Sequence, residues 1–129
     1  MIVGPGPDSL ARLFGQKLTE AWGQPVLVDQ RGGGGGTISA EAVAKAPPDG
    51  YTLLLATGTH AINPLVYKTS YDIVRDFVPV TLLGSTPFVL AVHPAVRASS
   101  VAGLIALAKA QPGKLNYGSG GSGTPPHLA

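Results

Sequence analysis

The first helix is indicated by apolar residues that recur at helical spacing near the start of the chain. Asp8 is a suitable N-cap residue, and Gly23 and Pro25 end the pattern, so we expect a helix from Asp8 to about Trp22. The residues that share its predicted apolar face are Leu10, Leu13, Phe14, Leu18, Ala21 and Trp22.

Short apolar runs between turn sequences predict the strands. These runs are PVLVD at 25–29, YTLLLAT at 51–57, VPVTLLG at 78–84, PFVLAVHP at 87–94 and KLNYG at 114–118. The run at 51–57 is apolar without alternation, which is typical of a strand covered on both faces. We therefore expect residues 51–57 to form a central parallel strand with helices on both faces, one of them the first helix.

The remaining helices are predicted from cap residues that precede apolar segments. Thr37 could cap ISAEAVAKA, Ser99 or Ser100 could cap VAGLIALAKA, and Thr124 could open a last short helix, whereas GTHAINP at 58–64 has the composition of a loop. The residues expected on the buried side of VAGLIALAKA are Leu104, Ile105 and Leu107. This alternation of helices and strands, with glycine-rich strand-to-helix loops, predicts an α/β fold with a mainly parallel sheet and flanking helices.

Composition excludes several classes of protein. The chain has 129 residues, 44% of them hydrophobic, which allows a folded core. Nine basic and seven acidic residues give a net charge of +2 without a basic cluster, so we expect no nucleic-acid partner. The chain has no cysteine, which excludes disulfides, zinc-thiolate sites and cysteine nucleophiles. It also contains no signal peptide, so we expect a cytoplasmic protein unless its front has been lost.

Residues that could carry catalysis are sparse, and we expect neither enzymatic activity nor a metal or other cofactor. No serine lies in a G-x-S-x-G elbow. The histidines, His60, His93 and His127, are more than thirty residues apart and lack the short spacing of metal ligands. Asp72 and Asp76 are four residues apart with Arg75 between them, which favours an ion pair or a solvated face over a catalytic carboxylate pair.

Two glycine-rich segments could bind an anion. Gly118, Gly120 and Gly123 have the G-x-G-x-x-G spacing of a dinucleotide-binding loop, although the acidic ribose ligand is missing. The alternatives are a helix start that binds another anion and a turn that only places the last helix. Gly32–Gly36 lacks the Lys-Ser/Thr pair of a P-loop and is interpreted as a spacer into the next helix.

Several longer segments resemble one known family. They are DSLARLFGQKLTEAWGQPVLVDQRGGGGGTISAEAVAKAPPDGYTLLLATGTHAINPLVY, RDFVPVTLLGSTPFVLAVHP and LNYGSGGSGTPPHLA. From about Asp8 to Ala129 the chain is similar to the substrate-binding proteins of tripartite tricarboxylate transporters, also called Bug proteins. Its first loop, IVGPGPD, departs from the family pattern Pro-Phe-x-x-Gly-Gly before the aspartate.

The resemblance implies a periplasmic-binding-protein-like α/β fold whose two domains close over a small carboxylate. Family ligands are di- and tricarboxylates, amino acids and aromatic acids, which are delivered to a membrane permease, and no cofactor is implied. It also implies a periplasmic location and a truncated chain. Residues 1–95 would be the first domain, without most of its first strand, and residues 96–129 the beginning of the second.

The resemblance also implies that three loops line the ligand cleft: Gly4–Asp8, TGTHAINP and SGGSGT. Such loops expose main-chain N–H groups at helix N-termini, and their hydroxyls add donors, while none of them contains lysine or arginine. The candidate ligand-binding residues are Gly6, Asp8, Thr57, Gly58, Thr59, Ser119, Gly120, Gly121, Gly123 and Thr124. The third loop would belong to the second domain and face the other two.

Three functional hypotheses stay open from the sequence. The first is a carboxylate-binding receptor fragment for a tripartite transporter. The second is a non-binding remnant or structural fragment of such a protein, and the third is a nucleotide-binding α/β module. Because both domains of a receptor donate hydrogen bonds to one anion, we expect this chain alone to bind carboxylates only at millimolar concentration or above.

Overall fold

The computed structural model describes residues 1–4 and 6–128. Its sheet has three parallel strands in the order β2-β1-β3: β1 (Ile2–Val3), β2 (Asp29–Gln30) and β3 (Leu54–Leu55). The helices are α1 (Asp8–Trp22), α2 (Thr37–Ala44), α3 (Gly58–Val66), α4 (Val101–Ala110) and α5 (Pro125–Leu128), and a 3-10 turn (Gly34–Gly36) precedes α2. This architecture confirms the predicted α/β class with a parallel sheet and flanking helices.

The sheet places β1, rather than β3, at its centre. Ile2 lies opposite Asp29 on one side and Leu54 on the other, in parallel register. The expectation that residues 51–57 form a central strand is therefore wrong, although their parallel pairing is confirmed. Val3, Ala11 and Leu55 form the buried core that joins the sheet to α1.

The apolar runs that follow β3 do not form strands. Within the part of the chain that the structure describes, neither 78–94 nor 114–118 contains a strand. Residues 78–94 are exposed to solvent along their whole length. An apolar run becomes a strand only where another edge pairs with its main chain, and sequence alone does not supply that partner.

Helix α1 spans the predicted residues, but its N-cap is Pro7 and no side chain caps it, so the prediction that Asp8 is the N-cap is wrong. Gly23 ends it in the left-handed region, at φ +65°, and donates its N–H to the carbonyl of Thr19 at 3.0 Å. Gly15 packs against the segment before β2, where an added Cβ would lie 2.9 Å from Cγ2 of Val28. The predicted apolar face is only partly covered, because Leu13 and Trp22 keep 55% and 58% of their surface exposed.

Helix α3 occupies the segment that the sequence suggested was a loop, so that prediction is wrong. Thr57 precedes the helix in an extended conformation, and Pro64 lies inside it. Proline has no N–H to donate to the carbonyl four residues earlier, which belongs to His60. The hydroxyl of Tyr71 donates to that carbonyl instead, at 3.0 Å. A side chain beyond the helix thus supplies the hydrogen bond that Pro64 cannot make.

The chain divides into two compact units. The first comprises Met1–Thr81 with Gly120–Ala129, and the second comprises Leu82–Ser119. The second unit contains α4, which Ser100 caps as predicted by accepting the N–H of Gly103 at 3.1 Å. Its expected buried side is incomplete: Leu104 and Leu107 are half-buried, whereas Ile105 is 51% exposed. The predicted domain boundary after residue 95 concerns the complete protein and stays a prediction.

Among the described helices, none combines the length and the apolar character that crossing a membrane requires.

Candidate functional site

The candidate site lies at the carboxyl edge of the sheet. Because β1, β2 and β3 are parallel, the loops that follow them leave the sheet at the same edge. Helices α1, α2 and α3 begin after these loops. The first-turn N–H groups of a helix have no partner within it, and they carry the positive end of the helix dipole. This edge is also where ligands bind in parallel α/β sheets.

His60 lies at the centre of this edge, with only 2% of its surface exposed. Its Nδ1 accepts the main-chain N–H of Thr57 at 2.9 Å, and the Thr57 hydroxyl oxygen is 3.2 Å from the same nitrogen. The N–H of His60 donates in return to the Thr57 carbonyl at 3.0 Å. His60 therefore stands at the third position of α3 and acts as the glutamate or glutamine of a capping box usually does.

The other ring nitrogen of His60 reaches the start of α2. Nε2 lies 3.3 Å from Oγ of Ser39, and that hydroxyl donates to the carbonyl of Gly36 at 2.8 Å. The Ser39 oxygen then accepts a hydrogen bond from Nε2–H, which assigns the neutral tautomer with its proton on Nε2. Burial lowers the pKa of His60, which also favours the neutral ring.

Glycines at two loops let the main chain approach this ring closely. A Cβ on Gly36 would lie 3.1 Å from Nε2 of His60, and Gly36 has φ +94°. A Cβ on Gly4, directly after β1, would lie 3.2 Å from Oγ of Ser39 and 3.6 Å from Nε2. The loops after all three strands therefore meet at His60 and Ser39.

The first loop carries the predicted site residues Gly6 and Asp8. Gly6 is exposed and has φ +115°, a conformation that favours glycine. Asp8 is the first residue of α1, and its Oδ2 accepts from Nε of Arg12 at 2.8 Å. Its Oδ1 is buried and has no hydrogen-bond partner among the described residues.

The second loop contains the predicted residues Thr57, Gly58 and Thr59. Since the N–H of Thr57 is bonded to His60, the donors that remain for a ligand come from the first turn of α3. Gly58 is exposed and Thr59 half-buried in that turn. A Cβ on Gly58 would lie 3.2 Å from Cγ of Pro125, so the start of α5 packs beside the start of α3.

The terminal loop contacts Tyr67 and Asn63, which sequence reasoning missed. The hydroxyl of Tyr67 donates to the carbonyl of Ser122 at 3.0 Å. Gly123 is buried at φ +78°, where an added Cβ would lie 3.0 Å from Cε2 of Tyr67 and 3.4 Å from Oδ1 of Asn63. Thr124 donates both its hydroxyl (2.7 Å) and its N–H (3.2 Å) to the Gly121 carbonyl. The Thr124 hydroxyl hydrogen is therefore already used within the loop.

The other two residues predicted in this loop differ in their surroundings. A Cβ on Gly120 would lie 3.6 Å from the side chain of Thr124, at ordinary contact distance. Ser119 belongs to the second compact unit, whereas Gly120 onward belongs to the first. The predicted assignment of the whole loop to a second domain concerns the complete protein and stays a prediction.

Asn63 is a further residue that the sequence did not single out. It is fully buried on α3, and its Nδ2 donates to the carbonyl of Gly35 at 2.9 Å, while its Oδ1 has no partner among the described residues. Asn63 thus ties the glycine-rich segment before α2 to α3. The sequence signal that could have revealed it is the glycine run itself, because glycines with positive φ allow close approach by a buried side chain.

Of the two alternatives at residues 72–76, an ion pair or a solvated face, the structure contains the ion pair. Nε of Arg75 lies 3.1 Å from Oδ1 of Asp76. Main-chain N–H groups of Arg75 and Val74 donate to Asp72, and these bonds lower its pKa below the ordinary value. Both carboxylates therefore stabilise a local turn. Across residues 1–4 and 6–128, no group of three acidic, histidine or cysteine side chains could hold a metal ion.

Comparison with known proteins gives one consistent group of matches. Residues 10–129 match the family model described as "Tripartite tricarboxylate transporter family receptor". The UPF0065 protein in the tcbD-tcbE intergenic region of Pseudomonas sp. strain P51 is 41% identical over 127 residues, which are 98% of this chain and 38% of that protein. Protein BugT of Bordetella pertussis is 37% identical over 128 residues, 97% of this chain and 39% of BugT.

A solved structure, "R. palustris Rpa4515 with adipate", is similar in sequence and in fold. The two are 39% identical with a TM-score of 0.79, over 96% of this chain and 44% of the other. The likeness confirms the predicted fold class. The chain spans about two fifths of the length of the curated relatives that it matches.

Proposed function

Because this chain belongs to the tripartite tricarboxylate transporter receptor family, a family of solute-binding receptors, we propose that the complete protein captures a small carboxylate for such a transporter. The observation that carries the proposal is the gathering of the α1, α2 and α3 starts at one edge of the sheet. The positive dipole ends of three helices therefore lie at the same edge, which favours an anion.

Main-chain donors, rather than basic side chains, would hold the anion. The arginines near this edge are already paired: Arg12 with Asp8 and Arg31 with Asp29, each at 2.8 Å. A carboxylate that accepts main-chain N–H groups makes charge-assisted hydrogen bonds, which are about twice as strong as neutral ones. Adipate in the related Rpa4515 structure supports a dicarboxylate as the ligand to test first.

The predicted site residues have different roles in this proposal. Gly58 and Thr59 would donate main-chain N–H groups from the first turn of α3, and Gly6 would do so beside α1. Ser119, Gly120, Gly121, Gly123 and Thr124 would bring the terminal loop to the same ligand. Thr57 would act mainly by starting α3, because its N–H is bonded to His60. Asp8, a carboxylate, would contact only a ligand that offers a hydrogen-bond donor.

The wider setting is proposed from the family. The protein would work in the periplasm and pass its ligand to a membrane permease. Residues 1–95 would form most of the first domain and residues 96–129 the beginning of the second, with the ligand between the two domains of the complete receptor. This chain would supply one side of the site and would bind weakly by itself.

Titration of the 15N-labelled chain, followed by NMR, tests the proposal. We expect adipate and citrate to shift the amide signals of Gly58 and Thr59 in a saturable way at millimolar concentration. Dimethyl adipate is the matched control, because it has the same carbon chain without charge, and it should cause no such shifts. Saturable binding of NAD or ATP without any response to the carboxylates would overturn the proposal in favour of a nucleotide module. No response to any of them would favour a non-binding fragment.

A further inference from the structure

We infer that His60 is the positioning residue of the proposed anion site: it ties the starts of α2 and α3 together without touching the ligand. The inference rests on the proposed function, since it assigns a role at that site. It is drawn from the contacts that the two ring nitrogens of this buried side chain make. Nδ1 accepts from Thr57 at the start of α3, and Nε2 faces Ser39 in the first turn of α2.

Both ring nitrogens are occupied, so His60 has no polar atom left for a ligand. Only 2% of the His60 surface is exposed, and Gly36 and Gly4 lie close beside the ring. An added Cβ at Gly36 would already come within 3.1 Å of Nε2. A ligand at the carboxyl edge is therefore separated from the ring by the loops that the ring holds.

The bond from Thr57 to His60 sets the direction of the proposed donors. Gly58 and Thr59 lie between these two residues in the chain, so their N–H groups point where the Thr57–His60 pair directs them. Nε2 then fixes this turn against α2 through Ser39, whose hydroxyl is itself bonded to the Gly36 carbonyl. Loss of either contact leaves the two helix starts free to move relative to each other, and an anion that needs both would bind less tightly.

Matched substitutions separate the effect of the hydrogen bond to Thr57 from the effect of side-chain size. Asparagine places an oxygen where Nδ1 stands, so His60→Asn keeps the acceptor for Thr57, whereas His60→Leu fills similar space without an acceptor. We expect His60→Leu to weaken adipate binding about tenfold and His60→Asn by about threefold or less. His93→Ala is the control. His93 also accepts a main-chain N–H two residues on, from Ala95 at 3.1 Å, but it is exposed, and its replacement should leave adipate binding unchanged.

The experiment is the NMR titration with adipate, together with the exchange rate of the Thr57 amide and the 15N shifts of the His60 ring. The wild-type ring should show the Nε2–H tautomer before and after adipate is added, and Thr57 exchange should accelerate in His60→Leu but not in His60→Asn. Ser39→Ala, which removes one contact, is used if His60→Leu does not fold, and it should weaken binding in the same direction.

Each outcome bears on one claim. Wild-type affinity in folded His60→Leu, or in Ser39→Ala when the leucine variant does not fold, would overturn the inference. So would a change of ring tautomer on adding adipate. A wild-type chain that responds to neither adipate nor citrate would instead contradict the proposed function, and the inference with it.

Discussion

The hydroxyl of Tyr71 donates to the main-chain carbonyl of His60, 3.0 Å away, and so replaces a hydrogen bond that α3 cannot make. Pro64, four residues after His60, has no N–H to offer that carbonyl. Tyr71 is buried, with 5% of its surface exposed, and its ring meets the ring of Phe77 edge-on at 6.0 Å. A residue outside the helix therefore completes α3 next to the candidate site.

Replacement of Tyr71 by phenylalanine tests this contact. Tyr71→Phe keeps the ring and its packing but leaves the His60 carbonyl without its donor. We expect the free energy of unfolding to fall by about 1–3 kcal/mol, the usual cost of an unsatisfied buried polar group. Urea denaturation followed by circular dichroism measures it. Tyr51→Phe is the matched control, because Tyr51 is 90% exposed and its change should alter stability little.

A double-mutant cycle with Pro64 tests whether the hydrogen bond to the His60 carbonyl is the cause of this loss of stability. Pro64→Ala restores an N–H that can reach the His60 carbonyl, so the loss caused by Tyr71→Phe should be smaller in that background. Equal losses in both backgrounds would mean that Tyr71 stabilises the chain by some contact other than the one that replaces the proline N–H.

The free energy of unfolding should decrease as the pH is lowered through the range in which an ordinary histidine becomes charged. Burial lowers the pKa of His60 in the folded chain, so between the unfolded and folded values the unfolded chain binds more protons. The stabilisation is therefore present above about pH 6.5 and is lost as the pH falls below it, with a slope of at most about 1.4 kcal/mol per pH unit. Tyr71, the neighbouring titratable group, stays neutral throughout, because burial raises its pKa.

Urea denaturation at several pH values between about 6.5 and 5 measures this slope. His60→Asn is the reference, because asparagine keeps the acceptor for Thr57 but does not titrate. Its stability should change less over this range than that of the wild-type chain. Parallel curves for the two proteins would show that the acid sensitivity comes from groups other than His60.

Local signals in the sequence are sufficient to predict some of the helices. The C-terminal end of α1 follows from Gly23 and its extent from the apolar spacing, both of which act within one helix. The cap of α4 is equally local, since Ser100 bonds to Gly103 three residues on. Residues 78–94 show the limit of such reasoning, because apolar character indicates burial but not which edge the segment pairs with.

The candidate site depends on contacts that no local pattern reveals. Helix α3 contains proline and asparagine, which are typical of loops, and contacts of the His60 ring and the Tyr71 hydroxyl stabilise it. Ser39 lies 21 residues from His60 in sequence and meets it only because parallel strands bring their following loops to one edge. The location of the site at these loops stays a prediction, whereas the side chains that hold the loops together, His60 and Ser39, could not be predicted.

The terminal loop should require glycine at position 123. At φ +78° an alanine is strained by about 1–2 kcal/mol, and its Cβ would lie 3.0 Å from Cε2 of Tyr67. Gly123→Ala should therefore displace the loop from α3 and break the bond from Tyr67 to the Ser122 carbonyl. Because α5 follows directly, the amides of Thr124 and His127, which are bonded to Gly121 and Thr124, should exchange faster with solvent. Adipate binding should weaken in parallel if this loop contributes to the site.

The effect should remain local, which separates it from general unfolding. The amide of Ile2, bonded to the Leu53 carbonyl at 2.7 Å, should keep its wild-type exchange rate, since the sheet does not depend on the terminal loop. Gly118→Ala is the matched control: φ at Gly118 lies outside the left-handed region, and an added Cβ would meet no heavy atom within 4 Å. Unchanged protection of Thr124 and His127 in Gly123→Ala would mean that Tyr67 can move aside and that the loop is held by its other contacts, such as Pro125 against Gly58.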